Sequence, residues 1–160
     1  MTMKTIMTLI FACFPLLAFS QNKAIDDLFN KYAGKEGITT VDINGGLLQL
    51  AAAIDTGKHS NDLVKSLNHV RILTIDDKNS NQGINFYKEV IGGIPVQDYK
   101  ELMTVKEKDQ DVKFLAKESG GKITELLMIV GGSDNALIFI TGNIDPKDLS
   151  DVEHMVRNKH

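Results

Sequence analysis

The stretch "KITELLMIVGGSDNALIFITG", residues 122–142, puts apolar side chains on both faces of any strand it forms. Side chains alternate across a strand with a period of two. On that spacing Leu127 and Ile129 point one way while Leu126, Met128 and Val130 point the other. In the partner run, Leu137 and Phe139 oppose Ala136, Ile138 and Ile140. Strands of this kind require cover on both faces. The chain therefore needs helices on both sides of a sheet, or a second molecule where helices are missing. An exposed patch of such residues marks a partner or lipid site.

Period two governs the chain from Tyr99 onward. "YKELMTVKEK", "QDVKFLAKES", "KITELLMIVG" and "NALIFITG" are separated by short turn-rich segments: Asp109-Gln110, Gly120-Gly121 and Gly131-Gly132-Ser133-Asp134. Four strands in an antiparallel meander follow from this. The strand at 111–117 alternates, with Val112, Phe114 and Ala116 facing in and Asp111, Lys113 and Lys117 facing out. "DPKDLSDVEHMV" then predicts a closing helix. Asp145 is its N-cap, Pro146 sits at the first helical position, and Leu149, Val152, Met155 and Val156 form its buried face.

The N-terminal half reads as helices with two further strands. Ile25, Leu28, Phe29 and Tyr32 fall at helical spacing before Gly34, and "GITTVDI" (37–43) is a β-branched strand. "GGLLQLAAAI" (45–54) is apolar nearly all round, which predicts a deeply buried helix. Ser60 is the expected N-cap of a short helix, "NDLVKSL". "HVRILTID" (69–76) is a strand with Val70, Ile72 and Thr74 on one face and Arg71, Leu73 and Ile75 on the other. "NSNQGINFYKEVIGG" (79–93) offers Ile84, Tyr87, Val90 and Ile91 as a helical stripe ended by two glycines. The expected fold class is α+β: a four-stranded meander in the C-terminal half, two strands and several helices before it, and a closing helix.

Four ordered blocks carry a family resemblance: "FNKYAGKEGITTVDI", "VRILTID", "YKELMTVKEKDQDVKFLAKESGGKITELLMIVGG" and "LIFITGNIDPKDL". Together they resemble the domain of unknown function 4252 family, from Phe29 to about Val152. The resemblance implies a small exported protein of a Gram-negative bacterium and carries over no catalytic residues.

Several fragments mimic catalytic motifs. Ser119-Gly120-Gly121-Lys122 spells S-x-x-K and Ser133-Asp134-Asn135 spells S-D-N, two of the three signatures of serine β-lactamases. In those enzymes the S-x-x-K serine opens a helix, whereas here the glycines lie between two β-patterned runs and K-T-G is absent. A hairpin turn accounts for them better. "GGSDN" lacks the last glycine of a nucleophile elbow, and "TGKHS" misses the spacing of a phosphate loop. Of the four histidines, no pair has H-x-x-x-H spacing. Asp76-Asp77 and Asp145 with Asp148 lack EF-hand spacing, so no metal and no cofactor is expected.

The first residues bear on compartment. Lys4 precedes an uncharged run from Thr5 to Asn22, whose apolar part, Ile6 to Phe19, is shorter than the roughly 20 residues of a bilayer span. It matches a secretory signal, with Ala18 and Ser20 at the small-residue positions before a cut between Ser20 and Gln21. The alternative, a lipid anchor on Cys13, fits less well because Ile10-Phe11-Ala12 lacks the usual small residue two positions earlier. Residues 21–160 then form one domain without cysteine, periplasmic or secreted, or an envelope lipoprotein on the alternative.

Without Lys4, one of the chain's 18 basic residues, acidic residues outnumber basic ones, 21 to 17, and the signs are interspersed, so a nucleic-acid partner is not expected. The leading expectation is a non-enzymatic binding or regulatory module acting through the apolar strands. Leu126, Met128, Val130, Ile138 and Ile140 are its candidate surface, and another protein or a second copy is its partner. The rivals are a small hydrolase around Asp55, His59, Asp76 and Asp77, or a carrier of an apolar ligand. The exported chain is predicted to have the intact mass of unmodified residues 21–160; a heavier, acylated chain beginning at Cys13 would put the anchor there instead.

Overall fold

The computed structural model describes residues 23–54, 58–75, 83–132 and 134–148, and the side chains of all of these except 58–61. The order is α1 (Lys23–Tyr32), β1 (Ile38–Asn44), α2 (Gly45–Ile54), α3 (Lys58–Ser66), β2 (Leu67–Ile75) and α4 (Phe86–Gly93). A 3₁₀ turn (Val96–Asp98) leads into β3 (Lys100–Lys106), β4 (Gln110–Ser119), β5 (Lys122–Gly132) and β6 (Ala136–Ile144). All six strands form one antiparallel sheet in the order β1-β2-β6-β5-β4-β3. The doubly apolar pair β5 and β6 lies at its centre, where each strand has a neighbour on both sides.

Both faces of that pair are covered unequally. Leu127, Ile129, Leu137 and Phe139 join Leu73 and Leu115 under α1 and α4. Helix α1 presents Ile25, Leu28, Phe29 and Tyr32 to this core, with Asp26 near its positive end and Lys31 near its negative end. Tyr32 meets Phe86 of α4 edge-on, with ring centroids 5.3 Å apart. The opposite face holds a smaller core of Ala116, Ile123, Leu126 and Ile144. Leu63 of α3 packs on it together with Leu67, Phe114 and Ile140.

The turn reading of S-x-x-K holds. Ser119 and Lys122 are paired across the β4–β5 hairpin, and Gly120 and Gly121 have φ of 59° and 77°. Two successive residues at positive φ are what a two-residue hairpin of the primed type requires. Ser119 opens no helix, and the Lys122 ammonium lies 2.8 Å from Asp145 Oδ2. Of S-D-N, Ser133 lies outside the described residues. Asn135 is 3% exposed: its amide donates to Ile84 O (2.9 Å) and Gly132 O (3.2 Å), and its carbonyl accepts from Phe86 N (3.3 Å). It fastens the β5–β6 connection to the start of α4.

Four expectations need correction. The α2 helix is not deeply buried: Ala52 is its one buried residue, because the helix packs on β1 and β2 at the margin of the sheet. Of the stripe expected over 79–93, Ile84 lies ahead of the helix, which begins at Phe86 among the described residues 83–93. Gly83 sits at φ 78°, and Asn85 caps the helix by accepting from Lys88 N at 3.0 Å. Ser60 does not precede α3, which already begins at Lys58. Strand β4 is not one-sided either. Leu115, on the side read as outward, is buried under α1 and α4, whereas Val112 and Phe114 are only half-buried.

At the end of β6, Asp145 Oδ1 accepts from Lys147 N at 3.0 Å, as an N-cap does, and residues 146–148 are helical. Leu149, Val152, Met155 and Val156 lie outside the described residues.

Replacing Asn135 by Ala strands a buried N–H and two carbonyls. The expected loss is about 3 kcal/mol of unfolding free energy, read from urea melts with an unchanged slope.

Candidate functional site

The pairing register draws one apolar row across the α2/α3 face of the sheet: Met103, Phe114, Met128, Ile138, Ile72 and Val41, each directly opposite the next. Met103 is exposed and the other five are half-buried. Of the surface expected from sequence, Leu126 and Val130 are buried, while Met128, Ile138 and Ile140 are half-buried.

The larger accessible apolar surface lies elsewhere. In α2, Ala52 is buried and Leu48 half-buried, and the helix meets α3 as well as β1 and β2. Leu47, Leu50, Ala51 and Ile54 recur at i, i+3, i+4 and i+7 on the opposite side. Leu47 is 54% exposed, Leu50 58% and Ile54 75%. A helix apolar nearly all round needs cover on every side, and α3 with the margin of the sheet covers only part of it. That pattern was visible in "GGLLQLAAAI", but periodicity alone does not say which side lacks cover. Leu102, Met103 and Val105 on edge strand β3 add further exposed apolar groups.

A polar cluster occupies the α1/α4 face at the end of the sheet where β1 finishes and β2 begins. Arg71 Nη1 donates to Asp26 Oδ1 of α1 (2.6 Å), and its guanidinium stacks 4.0 Å over the Phe29 ring. Its Nε lies 3.3 Å from Asp42 Oδ2 without hydrogen-bond geometry. Asp42 Oδ1 meets His69 Nε2 at 2.5 Å. The Arg71 side chain is only 12% exposed, so two carboxylates compensate a largely desolvated cation.

The next row places Thr141 between His69 and Glu125 in register. Glu125 accepts from the buried Tyr99 hydroxyl and lies 3.6 Å from Lys117 Nζ. An imidazole oriented by a carboxylate can move a proton. Here, however, the ring's bond among the described residues is to Asp42, and the arrangement ties β1, β2 and α1 together. Sequence reasoning gave neither His69 nor Arg71 a role. An arginine among Val70, Ile72, Leu73 and Ile75 was the available signal.

The hydrolase candidates do not form a described site: Asp55, Asp76 and Asp77 and the His59 side chain lie outside the described residues, as do Cys13, Ser20 and Gln21. Among the described residues no group of three or more His, Cys, Asp or Glu side chains converges as a metal site. Asp145 is held below the usual carboxylate range by Lys122 and by the Lys147 N–H, which fits a cap. No described helix is long and apolar enough to cross a membrane.

Between α1 and α4 runs an open groove of about 290 Å³, lined by Ala24, Asp27, Leu28, Lys31, Glu89 and Ile94. Glu89 accepts from the Tyr32 hydroxyl and from Lys31 Nζ, the latter at 2.7 Å. Burial first, and then the bond to Glu89, push Tyr32 above its ordinary 10.0. The bond to Glu89 raises Lys31 above 10.5. Both groups hold their protons more tightly when folded than when unfolded. Their stabilising effect is therefore complete below pH 10 and is lost as pH rises through the folded values. The melting temperature should fall above pH 10, and Tyr32→Phe should flatten that fall; an equally steep decline in the variant would show that this cluster is not responsible.

A family model, domain of unknown function (DUF4252), matches residues 32–152, about three quarters of the chain. No curated protein and no solved structure matches it. The matched span takes in every strand, Asp42, His69 and Arg71 of the ion-pair cluster, and both rows described above, and the chain belongs to the DUF4252 family.

Proposed function

We propose that this chain is exported to the bacterial envelope and works there as a non-enzymatic binding or regulatory module. Its contact surface is the outward stripe of α2. One observation carries this reading: a helix with no charged residue from Gly45 to Ile54 holds three large aliphatic side chains more than half exposed. Leaving them in water forgoes about 1 kcal/mol each. An uncharged apolar stripe on an exported domain is suited to a partner that covers it. The charge-free, signal-like run before Gln21 supports export.

The contact is testable in cells with a photo-reactive residue at position 54 and a control at exposed Lys88 of α4. We expect one adduct of defined mass from position 54 and none from 88. Leu50→Glu should suppress the adduct about tenfold while changing stability by no more than about 0.5 kcal/mol. Equal background labelling at both positions would overturn the reading.

A further inference from the structure

On the α2/α3 side, the described helices cover only part of the sheet. Helices α2 and α3 lie over β1, β2 and β6, and Leu63 of α3 reaches the small core at one end, where Ala116, Ile123 and Leu126 are buried. Farther along the same face, Phe114 of β4 stands opposite Met128 of β5, and Val112 opposite Val130. Phe114, Met128 and Val112 are half-buried, and Met103 and Val105 at the β3 rim are exposed. Among the described helices α4 also meets β4 and β5, but it lies in the other layer.

We propose that residues 149–156 of this chain are the cover, continuing the helix begun at 146–148 across β5 and β4. The proposal stands apart from the reading of α2. The segment starts in the right place: Ile144 is fully buried in the small core, and Asp145 follows it, held by Lys122 Nζ at 2.8 Å and accepting from Lys147 N at 3.0 Å. The helix therefore sets out from the covered end of this same face. Its pattern fits as well, since Leu149, Val152, Met155 and Val156 share one side, with Ser150, Asp151, His154 and Arg157 opposite. So does its reach. A helix from 146 to 156 is about 16 Å long, and Ile123 and Met128 are about 17 Å apart along β5.

The opposite face does not suit the stripe. At the end where β6 finishes, its row there is His69, Thr141, Glu125 and Lys117. Apolar side chains laid on that row would desolvate polar groups without bonding to them. On the α2/α3 face the same stripe meets Leu126, Phe114 and Met128, and the unbranched Met128 and Met155 adapt to the gap between helix and sheet. With Val156 over the row of Phe114 and Met128, the central strands have a helical layer on both faces, as their apolar pattern requires.

Paired cysteines in the chain carrying Cys13→Ser test the placement. Val156→Cys with Phe114→Cys should oxidise to an intrachain disulfide. Val156→Cys with Lys113→Cys, the neighbouring residue of β4 on the other face, should not. In single-cysteine chains, Val152→Asn should raise maleimide labelling of Met128→Cys about tenfold and leave that of Tyr87→Cys on α4 unchanged. Equal disulfide yields in the two pairs would overturn the proposal, as would a Met128→Cys rate that Val152→Asn raises no more than that of Tyr87→Cys. Either failure with the position-54 adduct still formed would remove this cover alone and leave the reading of α2 intact.

Discussion

Two adjacent strands that are apolar on both faces dictate the layering of this protein. Leu127, Ile129, Leu137 and Phe139 cannot share a face with Leu126, Val130 and Ile140, so a sheet built on β5 and β6 needs cover twice. Placing the pair at the centre leaves its backbone no free edge, and each face receives a helical layer. The chain supplies these in an economical order. Helices α2 and α3 lie between the adjacent strands β1 and β2, while α4 lies in the long crossing from β2 to the far edge at β3. The two layers are unequal. The α1/α4 side holds the large core, and the α2/α3 side leaves half-buried or exposed apolar groups along a row that crosses every strand.

The α1/α4 layer is fastened by charge as well as by packing. Helix α1 is short, and isolated helices of its length are marginal in water. Its apolar stripe is reinforced at one end by Asp26 on Arg71 and at the other by Lys31 and Tyr32 on Glu89. Arg71 could be placed beneath the helix only because Asp26, Asp42 and the Phe29 ring surround its guanidinium. A hydrophobic residue there would pack as well, but it would not link α1, β1 and β2 at one point.

Strand periodicity was legible in the sequence because it repeats locally, and the hairpin glycines were legible because positive φ is a property of single residues. What was not legible depends on contacts between distant residues. Leu115 looked peripheral beside Lys113 and Lys117, and its burial depends on helices that arrive from elsewhere in the chain. Asn135 resembled part of a catalytic triplet and proved to be a buried clamp on Ile84 and Phe86, some fifty residues earlier. For α2 the composition was read correctly and its consequence wrongly. Ten uncharged residues imply burial only where something lies on both sides, and composition does not reveal what lies above a helix. On β5 and β6, Leu126 lies in the small core on which Leu63 of α3 packs, while Met128, Ile138 and Ile140 stay half-buried.

Exposed aliphatic groups are ordinary when scattered and informative when ordered. Those on β3 are interleaved with Lys100, Glu101, Thr104 and Lys106, which keep that edge compatible with water. Those on α2 have no such interruption, and the strand feeding that helix is the edge of the sheet that lacks repelling charge. An uncharged helix side set against a charge-interleaved edge strand is the contrast that separates an ordered apolar surface from a scattered one.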